Sequence, residues 1–157
     1  FDTIYGWFLP VFGGALDEFM LGYGCPGGEI ESSSHYTLLG WLAIAVSAIV
    51  AVVYYFILNH PRFNRFWHWL LMVLTNGVIN YIIGTSYVYS VDIPDCYWES
   101  VEGAEVSTDV IVYAQFWGFG FANLCVASLF FIAISIIVKR WSTNCKHTPF
   151  KSLFPSN

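Results

Sequence analysis

The sequence predicts an all-α fold: a polytopic bundle of transmembrane helices, with three clean spans and a fourth, kinked membrane segment at the N-terminal end. Three observations carry this. Only 11% of the 157 residues are charged, against 57% hydrophobic and 20% aromatic, whereas a soluble domain has about a quarter of its residues as Asp, Glu, Lys and Arg. Three stretches are each long enough to cross a hydrocarbon core of about 30 Å, which needs roughly 20 helical residues. The basic and acidic residues then alternate along the chain as loops on opposite sides of a membrane would. So few charges cannot wet a soluble enzyme. Six Lys and Arg against eleven Asp and Glu also lack the basic footprint that a phosphate backbone requires, so nucleic acid is excluded as a partner.

Taken in order, residues 1–22 form the least regular element. Ile4 to Leu16 is apolar, but Pro10, Gly13 and Gly14 interrupt it, and Asp17 and Glu18 follow at once. Thirteen or so residues are too short to span alone. The segment is read as a kinked fourth membrane helix, with a re-entrant or interface-lying helix as the alternative.

The three clean spans are 37–58, 66–89 and 110–138, and none contains Asp, Glu, Lys or Arg. Backbone groups in lipid must be satisfied within their own segment, so helices are expected; the runs lack the two-residue alternation of a barrel strand. The third would reach ~43 Å at ~1.5 Å per residue, long enough to tilt or project beyond the lipid. The connection at 59–64 is short and contains Pro61, which makes the first two spans an antiparallel hairpin. The whole chain, 1–157, reads as one membrane domain ending in a tail at 139–157.

Charge sets the orientation. The six basic residues are Arg62 and Arg65 between the first two spans, and Lys139, Arg140, Lys146 and Lys151 after the third. By the positive-inside bias, the 59–65 loop and the C-terminal tail are cytoplasmic. The acids from Asp17 onward fall in the two loops expected on the opposite side: Asp17, Glu18, Glu29 and Glu31, then Asp92, Asp95, Glu99, Glu102, Glu105 and Asp109. Trp41, Trp67, Trp69, Trp98 and Trp141 stand near span ends, where an interfacial aromatic belt is expected.

Of the four cysteines, Cys25 and Cys96 occupy one outer loop each, and an oxidising outer compartment would join them in a disulfide. No Cys-x-x-Cys pair suits redox exchange. His35, His60, His68 and His147 show neither i, i+4 pairing nor cysteines at zinc spacing, so no metal or other cofactor is called. Catalytic motifs are absent as well, and no catalytic residue is assigned.

The informative intramembrane pattern lies on the second span. Met72, Asn76, Asn80 and Gly84 recur every four residues and share one helical face. The third span adds Gln115, Asn123 and a small-residue row of Ala114, Gly118 and Ala122, and the first offers Gly40, Ala43, Ser47 and Ala51. Small residues let helices approach closely, and buried amides hydrogen-bond across the contact. Asn76, Asn80, Gly84, Gln115, Gly118, Ala122 and Asn123 are therefore expected at helix-packing or subunit contacts. The function this suggests is a non-enzymatic membrane subunit, partnered by lipid and by other membrane proteins in an oligomer or hetero-complex. An oligomeric pore or channel subunit and a membrane redox enzyme are the alternatives.

Overall fold

The structure is a computed structural model that describes residues 1–58, 66–98 and 110–141. The connection expected at 59–65, the acids Glu99, Glu102, Glu105 and Asp109, and the tail bearing Cys145, Lys146, His147 and Lys151 lie outside the described residues. Among the described residues every regular element is helical, apart from one antiparallel bridge between Tyr23 and Ile30.

The N-terminal segment is not one kinked helix but three short ones: α1 (Asp2–Gly6), α2 (Leu9–Phe12) and α3 (Gly14–Leu21). Two residues account for the breaks. Pro10 has no N–H and its ring would clash with the carbonyl four residues back, so it is tolerated only in the first turn of α2. Gly13 then takes φ 84° and ψ 160°, a conformation essentially closed to residues with a Cβ.

Three long helices follow. α4 (His35–Val52) continues into a π turn (Val53–Ile57), giving a 23-residue apolar run; α5 (Phe66–Ser90) has 25 residues and α6 (Tyr113–Val138) has 26. At ~1.5 Å per residue these reach roughly 35–39 Å, enough to cross a bilayer core of about 30 Å. The π turn is closed by the Leu58 amide on the Val53 carbonyl at 2.8 Å. Within it Tyr54 and Tyr55 are both buried, with ring centroids 4.8 Å apart.

Helix α6 is the hub. It packs against α5, α4, α2 and α1. At the end where α5 finishes and α6 begins, Tyr5, Phe12, Leu16, Tyr36 and Phe119 form one apolar core; toward the opposite end Tyr54, Trp69, Val73 and Phe131 form a second. Away from these cores the helices expose apolar faces: Leu38, Trp41 and Ile49 on α4, Leu71, Leu74 and Ile82 on α5, Trp117, Phe121 and Leu129 on α6.

Two sequence expectations shift. Val110 to Val112 lie outside α6, because the Ile111 amide donates to the Tyr97 carbonyl at 2.9 Å and draws the extended stretch onto the segment that follows α5. Trp69 points inward and is buried against Phe131, so it cannot anchor a lipid interface; Trp41, Trp67 and Trp141 are largely exposed.

The N-terminal helices lie against α4 and α6. Phe1 packs on Trp41 and Phe130, and the Val11 carbonyl meets α6 at Gly118 so closely that a Cβ there would collide with it. A backbone carbonyl cannot swing aside as a side-chain end does. Gly118→Ala is therefore expected to push α2 off α6, lowering the thermal midpoint by the equivalent of about 1–3 kcal/mol of overpacking. An unchanged midpoint would show that α2 is not seated there.

Candidate functional site

The polar residues of the spans meet at mid-height of the bundle. Tyr5 donates its hydroxyl to Asn123 Oδ1 at 2.6 Å, and Asn123 Nδ2 donates to the Asn80 carbonyl at 2.6 Å. Asn80 Nδ2 donates to the carbonyl and the Oδ1 of Asn76, at 2.9 and 3.4 Å. Asn76 Nδ2 donates in turn to Ser47 Oγ at 3.1 Å and to the Ala127 carbonyl at 3.0 Å, and Ser47 Oγ also donates to Ala127 at 3.1 Å. One continuous chain of bonds thus links α1, α6, α5 and α4. Ser47, Asn76 and Asn80 are 0% exposed and Asn123 is 1% exposed.

Sequence geometry explains how the parts come together. The four-residue repeat on α5 turns Asn76, Asn80 and Gly84 onto the face against α6. Gly84 makes room, since a Cβ there would stand 2.9 Å from Asn123 Nδ2. That gap lets the amide of Asn123 reach the Asn80 carbonyl on α5. Ala122 is buried beside it.

Satisfaction is incomplete. Asn80 Oδ1 and Thr85 Oγ1 are buried without a hydrogen-bond partner among the described residues. A buried amide oxygen left unbonded costs about 1–3 kcal/mol. No described group of His, Cys, Asp and Glu is placed to hold a metal ion.

The other site residues fall elsewhere. Gln115 sits in the first turn of α6, where its Oε1 accepts the Val112 amide at 3.3 Å, and its amide fills the space beside Gly13. Gly118 meets α2 rather than another long helix. Cys25 and Cys96 are at disulfide distance, with sulfurs 2.08 Å and Cα atoms 5.9 Å apart.

Around that pair the segments at this end of the bundle form a cap. Tyr36 donates to Asp17 Oδ1 at 2.6 Å, His35 Nδ1 lies 2.7 Å from the Tyr87 hydroxyl, and Phe19 stacks on His35. Tyr97 donates to the Tyr23 carbonyl at 3.0 Å. Burial, reinforced by Glu18 and Glu31, pushes the Tyr97 phenol up to about 12, so it remains a donor at neutral pH. Tyr5 and the Asp17–Tyr36 pair were not legible as polar partners. Their signal, a hydroxyl on an aromatic ring, is shared by all ten tyrosines of the chain.

No family model, characterised protein or solved structure matches this chain.

Proposed function

We propose that the chain is a non-enzymatic integral membrane subunit that packs into a larger membrane complex and helps to assemble it. The observation that supports this best is the use to which the polar side chains of the spans are put. Ser47, Asn76, Asn80 and Asn123 face inward and bond one another and the backbone, so they hold the bundle together. The surface that remains is apolar along all three long helices, suited to acyl chains and to helices of other subunits. Ion paths through a membrane usually depend on charged side chains or carbonyl rings, and the three spans contain no Asp, Glu, Lys or Arg.

In this reading residues 1–21 are a fourth membrane segment, inserted beside α4 and α6. The exposed Trp7, Leu9 and Val11 of its outward face suit lipid contact. The 59–65 loop and the tail face the cytoplasm, and the acidic loops face the opposite compartment, where a Cys25–Cys96 bond would persist.

Solubilisation in mild detergent tests the assembly reading. Other membrane proteins should co-purify in fixed ratio, and a lone monodisperse chain would overturn it. Reconstituted alone in liposomes, the chain is expected to give no conductance. Sidedness is tested by single cysteines. Arg62→Cys and Lys146→Cys should be labelled from one side of sealed vesicles and Glu99→Cys from the other. Labelling of Arg62→Cys and Glu99→Cys from the same side would sink the topology.

A further inference from the structure

Where α5 finishes and α6 begins, rings packed on the buried Phe116 leave an exposed aromatic surface. Tyr89, Tyr113 and Trp117 are 48%, 63% and 53% exposed, above a buried Phe116. Their rings form one patch: Tyr89 and Tyr113 stack at 6.1 Å, Tyr89 meets Trp117 at 6.3 Å, and Trp98 closes the edge against Tyr113 at 5.5 Å. Trp98 already donates its indole N–H to the Ile93 carbonyl at 3.3 Å, so a ring face, not its donor, is what it adds.

We propose that this patch binds the ammonium end of a zwitterionic lipid headgroup, of the choline class, in the outer leaflet. Three features of the site converge on that occupant. It sits at the ends of two membrane-length helices, the level at which headgroups and aromatic belts meet, so the inference rests on the membrane reading above. Ring faces carry the negative lobe of the aromatic quadrupole and attract a cation lying within about 6 Å of the centroid. The surrounding charge has one sign: Asp92 and Asp95 stand exposed on the segment that carries Trp98, whereas the described basic residues, Lys139 and Arg140, are at the far end of α6. Such a surface repels an anionic headgroup and accepts an ammonium. The Tyr89 and Tyr113 hydroxyls add donors for the phosphate of the same headgroup.

The test uses the full chain reconstituted in vesicles of equal phosphatidylcholine and phosphatidylglycerol, then extracted gently and weighed with its retained lipid by native mass spectrometry. The parent should retain phosphatidylcholine over phosphatidylglycerol by about two- to thirtyfold, the range that a cation–π contact supplies. Tyr113→Leu with Trp117→Leu should abolish the preference, while Tyr113→Phe, which keeps the ring face, should preserve it. Tyr89→Leu is an independent second variant, should the double variant fail to fold. Equal retention, a preference for phosphatidylglycerol, or a preference untouched by these leucines overturns the proposal. So does a double variant that changes only self-association, which would assign the patch to a second copy. Failure of the chain to insert in vesicles at all would instead bring down the membrane reading beneath it.

Discussion

Reduction of the Cys25–Cys96 pair should produce one of the two largest losses of stability available to this chain. The cysteines are 71 residues apart in sequence, and closing a loop of that size lowers the entropy of the unfolded chain by the equivalent of roughly 4 kcal/mol. In a membrane bundle the unfolded reference keeps its helices and is already restricted, so about 2–4 kcal/mol is expected. Among the described residues the other ties across the seam include the bond of Tyr97 to the Tyr23 carbonyl and the edge contact of Phe19 on Tyr97. A non-reducing thiol count should find both residues blocked, and a thermal scan with dithiol reductant should fall well below the oxidised one. Cys25→Ser with Cys96→Ser should match the reduced parent and respond no further to reductant. Two freely alkylated thiols in the unreduced protein, or identical scans with and without reductant, would remove the bond from the account.

What could be read in advance divides along physical lines. The three long helices were legible because an uninterrupted apolar run in a low-charge chain has only one economical form in lipid. Their ends were less so. Val110 to Val112 carry the same hydropathy as the helix they precede, and only the distant Tyr97 carbonyl takes Ile111 out of it. Pro10 and Gly13 marked the N-terminal segment as broken, but not as three pieces seated on α6, since the seat depends on Gly118 more than a hundred residues later. The amide face of α5 followed from its four-residue spacing. Gln115 looked like a member of the same set; it packs its amide beside Gly13 of the N-terminal segment and also caps its own helix, because it falls in the first turn, where backbone donors are still unbonded.

The second large effect separates packing from conduction, and the network makes its halves unequal. Asn76 donates to two different helices, to Ser47 Oγ on α4 and to the Ala127 carbonyl on α6. Asn80 donates only within α5, and its own Oδ1 is unbonded. At about 0.6 kcal/mol per interhelical bond, rising to ~1.7 in the best cases, Asn76→Leu should cost about 1–3 kcal/mol. Asn80→Leu should come close to neutral, because removing an unsatisfied acceptor offsets the lost bonds. The double variant should therefore resemble Asn76→Leu, loosening α4 from α5 and α6 and weakening assembly, with no selective change in ion flux. Thermal unfolding in detergent, the yield of the assembled complex and conductance in liposomes measure the three quantities together. If the amides lined a path instead, the double variant would assemble normally and lose a conductance that the parent possessed. Full assembly with abolished conductance would thus replace the packing role with a pore.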